Sequence, residues 1–128
     1  MFKKTMLLLV LGSIFSATPA FADNCDNARN TFDEFYCKDK LYQQADKDLN
    51  TAYGELSRKL SANDRKTLKE IQLDWMHERD TQCIEKRDDE VVLFVNCRLN
   101  RTVDQTNFLN QRLRECKSTG CQPSRLRD

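Results

Sequence analysis

At 128 residues the chain has room for one small domain, and its 21 basic and 20 acidic residues leave a formal charge of +1. So even a balance supplies no long-range field towards DNA, RNA or an anionic membrane. Six cysteines against three glycines and two prolines argue against a set of short strands joined by tight turns, and for helices held by disulfides.

Residues 1–22 read MFKKTMLLLVLGSIFSATPAFA: a basic start at Lys3 and Lys4, an apolar run from Met6 to Phe15, and an Ala20-Phe21-Ala22 cleavage site. This is the pattern of a secretory signal peptide. The apolar run is too short to span a bilayer, and Cys25 follows Asp23 and Asn24 rather than the small residues of a lipoprotein site. The mature product, 23–128, is expected to be periplasmic or secreted, with no stable membrane insertion. Cleavage removes Lys3 and Lys4, leaving 19 basic and 20 acidic residues and a charge of −1.

The first helix is predicted from Thr31, whose hydroxyl forms a capping box with Glu34; Leu41, Ala45, Leu49, Ala52, Leu56 and Leu60 then recur at helical spacing. Ser61-Ala62-Asn63-Asp64 supplies a break and new N-cap candidates. A second helix carries Leu68, Ile71 and Trp75 inward as far as the charged residues 85–90, and a third carries Val91, Val95, Leu99, Thr102, Thr106, Leu109 and Leu113 to about Cys116. Short connections between long helices force antiparallel neighbours. The fold class is all-α, a disulfide-stapled antiparallel three-helix bundle with no sheet, followed by a cysteine-stapled tail over 115–128.

Helices of about 25 residues are about 40 Å long and enclose a thin core. All six cysteines lie in the mature part, and in an exported chain of this size they are read as disulfides. The turns bring Cys25, Cys37, Cys83 and Cys97 to one end and leave Cys116 and Cys121 together at the other. The favoured pairs are Cys25 with Cys37, Cys83 with Cys97, and Cys116 with Cys121; a Cys37–Cys83 pairing is the main competitor. Without a CxxC, and with His77 as the lone histidine on an outer helix face, no metal or other cofactor is expected.

The second helix places Gln72, Trp75, Arg79 and Cys83 on one side, where aliphatic residues normally stand. Antiparallel register sets Asp46 opposite Arg79, and Leu49 and Asn50 opposite Trp75. A partly buried guanidinium needs a carboxylate and a buried indole N–H needs an acceptor, so Asp46, Asn50, Gln72, Trp75, Arg79 and Asp80 are read as a polar network fixing helix register. Gln72 is expected to bond across to the third helix near Thr102 or Gln105. The competing reading is a binding pocket around Arg79 and Asp80.

"ADKDLNTAYGEL" (45–56), with Asp46, Leu49, Asn50, Tyr53 and Leu56, and "LKEIQLDWMHERDTQC" (68–83), with Leu68, Gln72, Trp75, Arg79, Asp80 and Cys83, resemble the LprI-type lysozyme inhibitor family of small exported bacterial proteins. Cys25 and Cys37 before the first motif, and Cys97, Thr102 and Leu109 after the second, extend the resemblance. Gln105 stands where members often have arginine, and the terminal "ECKSTGCQPSRLRD" lies outside the shared pattern. The resemblance implies an exported helical domain and, for part of the family, inhibition of lysozyme.

No Ser/His/Asp set, Cys–His pair, metal constellation or phosphate loop is visible in the sequence, so an enzyme is not expected. The leading expectation is a periplasmic binding protein that blocks a lysozyme by occluding its cleft or surface, with that lysozyme or another peptidoglycan hydrolase as protein partner. The alternatives are an immunity protein against a secreted peptidoglycan hydrolase and a non-inhibitory envelope interaction or stress protein. For target contact the sequence offers Lys117, Ser118 and Thr119 in the Cys116–Cys121 loop, with Arg125 and Arg127 beyond it. The plainer reading of that loop is a stapled helix end.

Overall fold

The computed structural model describes residues 25–128, so the signal peptide expected over 1–22 lies outside it. Three helices dominate: α1 (Thr31–Lys59), α2 (Ala62–Gln82) and α3 (Val95–Ser118). A hairpin of β1 (Ile84–Arg87) and β2 (Glu90–Leu93) separates α2 from α3, and a short 3-10 turn, Pro123–Arg127, closes the chain. Among the described residues no helix is long and apolar enough to cross a membrane.

The chain runs up, down and up, so α1 and α3 lie side by side in the same direction and pack chiefly on each other, while α2 lies across their shared face. Leu49, Leu56, Leu68 and Leu109 are almost wholly excluded from solvent, and Ala52, Leu60, Leu113 and Leu126 complete the same cluster. Each buried leucine contributes about 1.5 to 3 kcal/mol. The two alanines of α1, Ala45 and Ala52, are both buried and allow close approach to α3. Leu41 and Leu99, read as core, are only half-buried, because they border an open groove between those two helices.

Helix boundaries follow local chemistry. Asn30, not Thr31, caps α1: its side-chain oxygen accepts from the Asp33 N–H at 2.9 Å, and Glu34 pairs with Lys38 instead of reaching back. The expected Thr31–Glu34 capping box is replaced by a single asparagine N-cap one residue earlier, consistent with asparagine's strength in that role. Ser61 caps α2, accepting from the Asp64 N–H at 3.2 Å and donating to its carboxylate at 2.7 Å.

The expectation of no sheet fails at residues 84–93. The second helix stops at Gln82 rather than near residue 85, and Val91 belongs to β2 rather than to the third helix. The strands pair antiparallel, Ile84 with Leu93 and Arg87 with Glu90, across a two-residue loop in which Asp88 takes φ 50°. Aspartate tolerates that left-handed conformation, and adjacent Val91 and Val92 suit a strand. An isolated two-stranded hairpin is marginal in water. Here its base is tied by the Cys83–Cys97 bridge and by the Phe94 N–H donating to the Cys83 carbonyl at 2.9 Å.

The other bridges join Cys25 to Cys37 and Cys116 to Cys121. Two of the three therefore lie at the hairpin end. Gly120, at φ 95°, stops α3 in a conformation that a side chain would strain.

Candidate functional site

Arg79 is the hub of the polar network between the helices. Its Nη1 donates to Asp46 on α1 at 3.4 Å and to the Thr102 hydroxyl on α3 at 3.3 Å, and its Nε donates to Asp80 at 2.9 Å. Asp80 also accepts from Arg98 at 3.1 Å, and the Thr102 hydroxyl donates to the Arg98 carbonyl at 2.7 Å, closing a ring of contacts. The guanidinium lies 5.0 Å from the Trp75 ring centre, and Arg98 lies 4.6 Å from that of Tyr42. Two turns back along α2, Gln72 accepts from Gln105 at 3.0 Å, so glutamine at position 105 itself makes the bond to the third helix.

Two members of the expected set stand elsewhere. Asn50 is exposed on the outside of α1, and half-buried Trp75 meets Arg79 through its ring face rather than Asp46 or Asn50 through its N–H. Tyr42 and Arg98 are residues that sequence reasoning missed. The signal available was their charge and aromatic chemistry on the inner sides of α1 and α3, where the ring face attracts a cation. Arg79 is buried, and its Nε and Nη1 reach side chains on all three helices.

At the opposite end the tail folds back on the bundle. Leu126 is 2 % exposed and joins the core, and Arg112 on α3, also buried, donates to the Arg125 carbonyl at 3.1 Å and pairs with Glu115 at 3.1 Å. Arg125, expected to face a target, pairs with Glu115 at 2.6 Å and with Asp128 at 3.5 Å. The Ser118 and Thr119 hydroxyls lie 3.4 Å from the Glu115 carbonyl, as helix-end groups do, while Lys117 and Arg127 are exposed. Of the five candidate residues, Lys117, Ser118, Thr119 and Arg127 are exposed, and half-buried Arg125 is paired within the chain. Buried Arg112 was not foreseen; an arginine in the last turns of a helix reads as a surface residue unless a tail covers it.

Two further surfaces are open. A groove of about 690 Å³ runs between α1 and α3 on the side away from α2, lined by Leu41, Ala45, Leu99 and Val103 with Asp48 and Asp104 among its borders. At the hairpin end, Phe32, Phe35, Tyr36, Val91, Leu93 and Phe94 are all exposed. Phe35 shares a shallow pocket with Leu93 and Phe94, so α1 and the hairpin form one apolar surface there.

Among the described residues no group of three His, Cys, Asp or Glu side chains is arranged to hold a metal. Stapled helices, an interhelical polar network and open apolar surfaces are what the described chain presents. The chain belongs to the LprI lysozyme inhibitor family, whose sequence profile matches residues 22–109. That family is one of inhibitors, and the protein is not an enzyme. Comparison with curated proteins and with solved structures gave no match. The matched span takes in both motifs, the polar network and the hairpin, and stops before Arg112 and the tail.

Proposed function

We propose that the mature chain is a periplasmic inhibitor of lysozyme, acting by occlusion. The observation that carries this reading is membership of the lysozyme inhibitor family across residues 22–109. Steric inhibition requires no chemistry from the inhibitor, only a surface already held in its binding shape, because rigidity reduces the ordering cost of association. Three disulfides and a register-fixing network support such a role.

The stapled loop at 116–121 is one candidate contact, with Lys117 and Arg127 as the cations for a cleft containing paired carboxylates. The exposed Ser118 and Thr119 hydroxyls lie beside them, whereas Arg125 is held by Glu115. The test is cell-wall lysis by lysozymes of several types, with and without purified oxidised protein. Dose-dependent loss of lysis is expected for at least one type; undiminished lysis for every type at large molar excess overturns the proposal.

A further inference from the structure

We propose that the apolar end formed by the hairpin and the first turns of α1 is the surface that docks a basic muramidase. This inference rests on the lysozyme reading and assigns its contact surface.

The argument begins with exposure. Phe32 is 74 % exposed and Val91 64 % exposed, and Phe35, Tyr36, Leu93 and Phe94 also stand in solvent. Three of the six, Phe35, Leu93 and Phe94, meet around one pocket, and Phe32, Tyr36 and Val91 extend the exposed apolar surface along α1 and β2. Phe32, Phe35 and Tyr36 occupy one arc of α1 at helical spacing. Val91 and Leu93, two apart in β2, share a face of the hairpin, and Leu93 and Phe94 meet Phe35 around the pocket of about 270 Å³. Scattered exposed apolar residues need no explanation, but a contiguous aromatic patch marks an interaction surface.

The second observation is rigidity. Cys25–Cys37 anchors the start of α1 and Cys83–Cys97 anchors the hairpin, so both halves of the patch are fastened to the bundle. The core cluster lies elsewhere, around Leu49, Leu56, Leu68 and Leu109, so these two bridges hold a surface rather than the main core. Preorganised aromatic anchors are the residues that dominate binding energy in protein interfaces.

The third is charge. Asp33 on α1 and Asp88 and Asp89 in the hairpin loop belong to this end and form no ion pair among the described residues; Glu90, also unpaired, stands on the hairpin face opposite Val91 and Leu93. Of the nearby cations, Lys38 pairs with Glu34 and Arg87 with Glu85, while Lys40 over the Tyr36 ring keeps its charge. Arg29, Lys40 and Lys86 are exposed and unpaired among the described residues, Lys86 directly across from Val91, so the four carboxylates at this end outnumber such cations by one. A protein that attacks an anionic cell wall gains from positive charge, and an acidic rim attracts such a partner. The groove between α1 and α3 offers no comparable set of exposed aromatics.

The experiment measures binding of oxidised mature protein to a basic lysozyme by calorimetry, at low and physiological salt, for wild type, a Phe32→Ser/Val91→Ser variant and an Asp88→Asn/Asp89→Asn/Glu90→Gln variant. Helical circular dichroism and thermal midpoint are recorded for each. The altered positions are exposed and outside the core, and asparagine retains the left-handed conformation at position 88. The apolar variant is expected to bind about tenfold or more weakly with its helicity intact. The charge variant is expected to bind more slowly and to lose most of its salt dependence. Wild-type binding that both variants retain in full overturns the surface assignment and leaves the lysozyme reading standing. Absence of wild-type binding to any lysozyme overturns both. Patch-dependent self-association that lysozyme does not compete away overturns the assignment in favour of a second copy. Should the hairpin variants unfold, a Phe32→Ser/Tyr36→Ser variant, confined to the exposed side of α1, gives the same decision.

Discussion

Arg79 on α2 meets Asp46 on α1 at 3.4 Å, yet the two differ in burial: the arginine side chain is 3 % exposed and the aspartate 40 %. The contact is therefore one-sided. Arg79 depends on it, together with Asp80, Thr102 and the Trp75 ring, whereas Asp46 can exchange its partner for water. Arg79→Ala is expected to cost about 2 to 4 kcal/mol through lost packing and hydrogen bonds, and Asp46→Ala about 1 kcal/mol or less. Chemical denaturation of both single variants and the double variant checks this; the double should lose less than the sum. Arg79→Lys should not restore stability, since an ammonium cannot reproduce the fork of donors.

The hairpin depends on its bridge. Replacing Cys83 and Cys97 together by alanine is expected to destabilise the domain by about 3 kcal/mol and to speed hydrogen exchange across residues 84–94 more than across α1. Exchange that rises uniformly would mean that the bridge supports the bundle and not the hairpin.

The tail belongs to the folded core although it lies beyond the family-matched span. Leu126→Ala is expected to cost about 2 to 4 kcal/mol, as for other leucines buried in a core. Removal of residues 122–128 should do at least as much, because it also strips Arg112 of the Arg125 carbonyl and Asp128. Thermal melts of the two variants test both statements. Lys117→Glu with Arg127→Glu, which alters exposed charge alone, should leave both stability and lysozyme inhibition unchanged if the opposite end makes the contact.

Glu85 and Arg87 give a pH prediction with a definite sign. Two bonds from Arg87, at 2.8 and 2.9 Å, hold the Glu85 carboxyl below its ordinary 4.5. A depressed folded pKa contributes stability above the unfolded value, and that contribution fades as pH falls through the lower folded value. The pair is fully exposed, so its thermodynamic effect is small. Carboxyl NMR titration should show the Glu85 midpoint rising towards the ordinary value in Arg87→Gln.

The helices were legible because their signals are local. Leu49, Ala52, Leu56 and Leu60 repeat at helical spacing, and Ser61 with Asp64 announces the start of α2. Register was legible as well: the Asp46–Arg79 contact follows from turn position and the need to pair a buried charge. The hairpin was hidden because Val91 also fits the 3.6-residue stripe continuing through Val95 and Leu99, and only the two-residue aspartate loop and the paired valines argued otherwise. The tail was hidden for a different reason. Nothing in Pro123–Arg127 signals that Leu126 reaches the core, since a single leucine carries no periodicity. Exposed aromatics at the ends, such as Phe32 and Phe94, fall outside the periodic stripes and carry no signal until the neighbouring elements are placed.

The bridges also have an order along the chain: first cysteine with second, third with fourth, fifth with sixth, at separations of 12, 14 and 5 residues. A polypeptide threaded N-terminus first into an oxidising compartment presents its thiols in that sequence, so each correct partner is the next one to arrive. An oxidase that joins thiols in order of appearance therefore makes the native set, with no wrong bond for a disulfide isomerase to undo. The same arrangement makes the first cysteine a safeguard for the others. Without Cys25, Cys37 would wait unpaired until Cys83 emerged, and the thiol meant for Cys97 would be captured early.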